Sequence, residues 1–246
     1  QDVLSRGIDQ NGELRDPERD HFRDTKLGSL PGDWGVFPMG KTLETLYRYP
    51  SYYDIDYVED GIPEVRGEML RPDGSVDIEG EEIRYVSEET ASEYPRVRLD
   101  EDDFVMSVRG TVGKVGRIPL SLSGGVITAN LIRVKFDTDA ILPDYAQLVL
   151  LSTQYQKRLD ALTSATTIKT IKADDLRRIP IRLPSLDEQN RISKVVHSHV
   201  ERIQNNKTYL RKLRYLKKGL MQDLLTGEVR TADKAIEILD EVEAHG

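Results

Sequence analysis

Between Leu27 and about Val134 the chain alternates short apolar runs with turn residues. Arg84-Tyr85-Val86, Phe104-Val105-Met106-Ser107-Val108 and Asn130-Leu131-Ile132-Arg133-Val134-Lys135-Phe136 read as strands. Gly110, Gly113, Gly116, Gly124 and Gly125 punctuate them, marking tight turns or a close approach of backbone to a partner. The period then lengthens. Pro143-Asp144 opens an amphipathic helix on which Tyr145, Leu148, Val149, Leu151, Tyr155 and Leu159 recur at near-helical spacing, through about Leu162. The polar stretch from Thr163 to Thr170 reads as a loop. A short helix around Asp174–Arg178 leads into a last strand, Ile179-Pro180-Ile181-Arg182-Leu183-Pro184.

From Asp187 to Leu225 the pattern differs in kind, with no Pro and no Gly before Gly219. Ile192, Val196, His199, Ile203, Asn206, Leu210, Leu213, Lys217, Leu220 and Leu224 follow one another in alternating steps of four and three. Such an a/d seam calls for a partner helix, and polar members such as His199 and Asn206 commonly fix register. About 38 residues make a rod of roughly 57 Å, longer than the core packing of one small domain needs. The alternative is a long amphipathic helix lying on its own domain.

Together these elements predict a mixed α/β (α+β) domain of short strands followed by a long coiled-coil-forming helix. The expected boundaries are a linker over 1–26, the domain over 27–185, the helix over 186–226 and a tail over 227–246. Residues 1–26 are polar and turn-rich, with Asn11-Gly12 and Asp16-Pro17 as breakers. Gln222-Asp223-Leu224-Leu225-Thr226-Gly227 echoes Gln1-Asp2-Val3-Leu4-Ser5-Arg6-Gly7 with one inserted residue. Placed after a long helix, the echo suggests that residue 1 is the tail of an equivalent preceding helix. The start lacks a Met and is not a signal peptide, so a piece of a longer chain is expected.

The 246 residues include no cysteine, which excludes disulfides and cysteine-ligated metal sites. No apolar run approaches the roughly 20 residues that span a bilayer, and a soluble, cytoplasmic protein is expected. A net charge of −8 argues against a nucleic-acid binder, but the average hides a division. Residues 54–103 hold 18 Asp+Glu against 5 Lys+Arg, whereas residues 104–230 hold 22 Lys+Arg against 11 Asp+Glu. The second region is positive enough to meet phosphates; both could equally be solvated faces.

Catalytic motifs are absent. There is no Gly-rich cofactor turn after a strand and no Asn-Pro-Pro-aromatic motif of an adenine methyltransferase. Gly110-Thr111-Val112-Gly113-Lys114 lacks the glycine spacing and the Ser/Thr after Lys of a phosphate loop. His197 and His199 lie two apart on a helix and cannot share a face as a metal pair would; His21 and His245 are remote in sequence. The chain itself calls for no cofactor and no metal.

The residues from Leu27 to Thr231 resemble type I restriction–modification specificity subunits nearly throughout. Leu27-Gly28-Ser29-Leu30-Pro31-Gly32-Asp33-Trp34 looks like the start of one of their target-recognition domains. Gly61-Ile62-Pro63-Glu64-Val65-Arg66 matches an early element, and Asp103–Lys114 looks like the strand and glycine turn of the core. Most specific is Pro184-Ser185-Leu186-Asp187-Glu188-Gln189 entering a long helix, which ends in Leu224-Leu225-Thr226-Gly227-Glu228-Val229-Arg230. A full subunit holds two recognition domains joined by two antiparallel helices, and this chain contains one of each. Either the first half is absent from this chain or two half-subunits pair.

The resemblance implies a non-catalytic reader of one half of a bipartite double-stranded DNA target. Adenine methyltransferase subunits would bring S-adenosylmethionine, and a restriction subunit would bring translocation and cleavage. Side chains in the Gly-rich and Thr-rich loops are the candidate readers: Arg66, Arg109, Thr111, Lys114, Thr128, Asn130, Thr166, Thr167 and Lys169. Two rivals stand beside this reading. One is a coiled-coil scaffold whose domain binds protein, favoured by the acidic stretch 54–103; the other is the recognition domain of a fused restriction–methylation enzyme.

Overall fold

The computed structural model describes residues 3–49, 55–80, 82–127, 130–163 and 170–226. They divide into two compact units, Gln1–Ser193 and Lys194–Gly246. The first unit opens with helix α1 (Val3–Arg6), then strands β1 (Phe22–Thr25), β2 (Gly28–Pro31), β3 (Gly35–Pro38) and β4 (Leu43–Arg48). Next come β5 (Tyr57–Val58), β6 (Ile62–Val65), β7 (Arg84–Val86) and helix α2 (Glu88–Glu93). Strands β8 (Phe104–Ser107), β9 (Val115–Arg117), β10 (Val126–Ile127) and β11 (Leu131–Phe136) follow. Helices α3 (Pro143–Leu151), α4 (Thr153–Thr163) and α5 (Ala173–Arg178), strand β12 (Pro180–Leu183) and helix α6 (Leu186–Thr226) complete the order.

Among the described residues the strands form two four-stranded sheets, β4-β11-β8-β9 and β10-β6-β7-β5, and two pairs, β1-β2 and β12-β3. The first is antiparallel throughout, with Ile132 opposite both Arg48 and Met106. Its inner strand β8 is buried at every position, which is why Phe104, Val105 and Met106 follow one another without a polar alternation. The second sheet mixes directions, since β10 runs parallel to β6. Val65, Val86, Leu99, Val105, Ile118, Ile127 and Leu131 from both sheets and their connections share one buried core. Phe104 and Phe136 pack edge to face at 5.6 Å, a preferred aromatic geometry.

Two features depart from the sequence reading. The helix expected from Pro143 to about Leu162 is two helices, broken at Ser152, whose backbone is extended. The Ser152 hydroxyl donates to the Val149 carbonyl at 2.7 Å and accepts from the Tyr155 N–H at 3.2 Å, ending α3 and capping α4 at once. Apolar residues continue across the break because both helices face the same core, so the periodicity hides it. The segment read as a linker is also structured from Val3. The Gly7 N–H bonds the Val3 carbonyl at 3.0 Å with Gly7 at φ 73°, the left-handed close of a helix end. Ile8, which follows, is buried.

Helix α6 spans 41 residues, roughly 60 Å. Its seam member Ile192 is fully buried within the first unit. In the second unit Val196 and Leu220 are half-buried and His199 and Asn206 exposed. Ile203 (54 %), Leu210 (54 %), Leu213 (36 %) and Leu224 (60 %) are exposed large apolar side chains.

Candidate nucleic-acid interface

The turn between β8 and β9 is closed on one side chain. Ser107 Oγ donates to the Thr111 carbonyl at 2.5 Å and accepts from the Lys114 N–H at 2.9 Å, while Ser107 N–H bonds Lys114 O at 2.9 Å. Gly110 and Gly113 lie at φ 79° and 89°, where a side chain would be strained. The turn is thereby held in one shape, with Arg109, Thr111 and Lys114 exposed on it.

Val108, just before the turn, ties three segments together. Its N–H donates to Asn130 O at 3.0 Å, its carbonyl accepts from Ile171 N–H at 3.1 Å, and Arg109 bridges to Thr170. Residues distant in sequence therefore meet at one end of the β4-β11-β8 sheet. The exposed Arg109 and Asn130 stand there, beside Thr170. Four candidates, Thr128, Thr166, Thr167 and Lys169, lie outside the described residues. Lys114 and Arg66 form a second group beside the turn. Lys114 Nζ donates to Gly67 O at 3.3 Å, and Arg66 Nη2 donates to Glu82 O at 2.6 Å.

Sequence reasoning missed Arg48, the last residue of β4, at this same sheet end. Burial and then the nearby Arg109 guanidinium hold Arg48 below its ordinary pKa. No local motif marks it; only the pairing of β4 with β11 brings it near Arg109.

The charge division has a structural cause that the sequence did not reveal. Arg133 Nε binds Asp103 at 2.7 Å and Arg133 Nη2 binds Asp100 at 2.9 Å; Lys135 also binds Asp100 at 2.9 Å, and Arg117 binds Asp102 at 2.8 Å. Part of the acidic stretch thus neutralises cations of the following region inside the fold. Arg71 with Asp77 and Arg98 with Glu88 are pairs within the stretch itself.

The Glu-Gln of the helix-opening motif is an anchor. Glu188 accepts from Ile8 N–H at 3.1 Å, Trp34 Nε1–H at 3.1 Å and Arg15 Nη2–H at 2.8 Å. Burial pushes its carboxyl above the ordinary range, with Trp34 and then Arg15 pulling the other way. Gln189 accepts from Leu142 N–H at 2.8 Å and donates to Ala140 O and Pro184 O. The signal was available: Glu188 and Gln189 stand four and three residues before Ile192, so polar groups occupy the buried face of the helix start.

Among the described residues no cluster of His, Cys, Asp and Glu could hold a metal, and no helix is long and apolar enough to cross a membrane. Polar turns thus gather at one end of one sheet, on a chain that also carries a long helix with exposed apolar side chains. The chain belongs to the type I restriction modification DNA specificity domain family, whose model matches residues 39–215. It is 24 % identical over 218 residues to the type I restriction enzyme MjaVIII specificity subunit of Methanocaldococcus jannaschii, covering 87 % of this chain and 50 % of that protein. It is 25 % identical over 167 residues to the Escherichia coli EcoBI specificity subunit, covering 66 % of this chain and 34 % of that protein. The fold is similar to the crystal structure of the HsdS subunit from Thermoanaerobacter tengcongensis, with TM-score 0.59 and 15 % identity, over 83 % of this chain and 52 % of that one. The chain spans half or less of the length of these two curated relatives.

Proposed function

We propose that this chain reads one half of a bipartite duplex-DNA target for a type I restriction–modification system and carries no catalysis of its own. The observation that carries the reading is the convergence at Val108, where Arg109, Asn130 and Thr170 meet at one end of a sheet. Arg66, Lys114 and Arg48 flank it with cations suited to phosphate, which positions the protein. Arg109, Asn130 and the loop threonines offer hydrogen-bond groups suited to base edges, which specify. Residues 27–185 read, and residues 186–226 form the spacer, pairing antiparallel with the equivalent helix of a second recognition half. Adenine methyltransferase subunits and a restriction subunit dock on this assembly.

The rival protein-binding scaffold drew on the acidic stretch. That support weakens, since Asp77, Glu88, Asp100, Asp102 and Asp103 already face arginines or a lysine within the fold. A gel-shift series over salt tests the choice. A DNA reader loses affinity with a log–log slope of about 0.9 per phosphate contacted, and a scaffold shows no DNA binding at any salt.

A further inference from the structure

Positions 202–222 of α6 hold seven Lys or Arg and no Asp or Glu. Four of these cations, Lys207, Arg211, Arg214 and Lys218, are separated by steps of four, three and four, so they fall on one helical stripe of about 16 Å. Each follows a seam member by one residue: Asn206, Leu210, Leu213 and Lys217. The stripe is therefore turned about 100° from the seam, so that Arg211 and Lys218 stay outside when the seam is covered and Lys207 and Arg214 flank it. All four side chains are exposed.

Such a surface needs an occupant with closely spaced negative charge. The cores of protein interfaces are depleted in charged residues, whereas all four positions of the stripe are cations. The carboxylate cluster Asp100, Asp102 and Asp103 of a second copy is not free to meet the stripe, being already paired with cations of its own domain. Duplex DNA presents about one charge per 1.7 Å of axis, so a length matching the stripe offers several phosphates. We propose that the Lys207–Lys218 stripe of α6 is a sequence-independent phosphate-binding surface that grips duplex DNA over base pairs the recognition domain leaves unread. This rests on the DNA-reading function proposed above.

The test is a salt titration of the full chain on a random-sequence duplex of about 40 base pairs, from 50 to 200 mM salt, the range over which phosphate contacts dominate. In the variant Lys207→Gln/Arg211→Gln/Arg214→Gln/Lys218→Gln the log–log slope should fall by about 3 to 4. Should that variant fold poorly by circular dichroism, Lys207→Gln/Arg211→Gln and Arg214→Gln/Lys218→Gln should each lower the slope by about 2. Wild-type binding with a slope unchanged in the variants overturns the stripe and leaves the recognition domain as the DNA-binding surface. An unchanged slope with lost methyltransferase binding also overturns it and assigns the stripe to protein. A wild-type chain that binds no DNA overturns both this inference and the function on which it rests.

Discussion

Replacing Glu188 with Ala removes a buried carboxylate that serves three donors. The Ile8 N–H and the Trp34 Nε1–H lose their acceptor, and each neutral donor left unsatisfied in the interior costs about 1–3 kcal/mol. Arg15 keeps Asp33 through contacts of 2.7 and 3.1 Å, so its guanidinium is not stranded. Removing the carboxylate also removes its own desolvation cost, the main reason its pKa is raised, and this offsets part of the loss. The net expectation is about 3–4 kcal/mol, two unsatisfied donors less that offset. Set against a typical domain stability of about 5–15 kcal/mol, that leaves a marginal fold. Urea unfolding followed by circular dichroism reads it as a midpoint lowered by about 2 M at a slope of about 2 kcal/mol/M. Glu188→Gln, which keeps one acceptor oxygen, should fall between wild type and Ala. A loss below about 1 kcal/mol in the Ala variant would refute the anchor role assigned to this motif.

Arg109→Ala and Lys169→Ala should weaken DNA binding without unfolding the domain. A base-edge contact costs about 1–3 kcal/mol on the cognate half-site only, a phosphate contact weakens all sequences alike, and unchanged binding in both variants places the reading face elsewhere. Ile203→Asp with Leu210→Asp should abolish helix pairing in light scattering while circular dichroism shows a folded domain. Asp77 should titrate at about 2, because the Gly80 N–H, the Arg71 side chain and the Glu79 N–H all favour its carboxylate. Its contribution is present above the ordinary aspartate pKa and is lost as pH falls through about 2; a carboxyl-carbon NMR midpoint near 3.8 contradicts the loop geometry around Gly80.

Strand β8 was legible because it is buried throughout and opens as an apolar run, and β11 because Arg133 and Lys135 alternate with Ile132, Val134 and Phe136. Helix α6 was legible from its seam. The break at Ser152 was not, because a hydroxyl that ends one helix and caps the next leaves the apolar period undisturbed. Of the candidate readers, Arg109, Thr111 and Asn130 follow from loop chemistry, but the approach of Asn130 to Val108, beside Arg109, depends on pairing between distant strands. Arg48 escaped for the same reason. The charge division was visible in the sequence and misleading in amount, since its aspartates and arginines partly cancel across the Asp103–Arg133 and Asp102–Arg117 pairs. Glu188 and Gln189 were read as a family mark, whereas their hydrogen bonds show what the mark does for the fold.

Methylome sequencing of the host with and without this chain tests the central claim most directly. The account predicts that deleting the chain abolishes adenine methylation at one bipartite motif, that re-expression restores it, and that Arg109→Ala or Lys169→Ala relaxes or lowers methylation in one half of that motif. An adenine methylome unchanged by the deletion would contradict it.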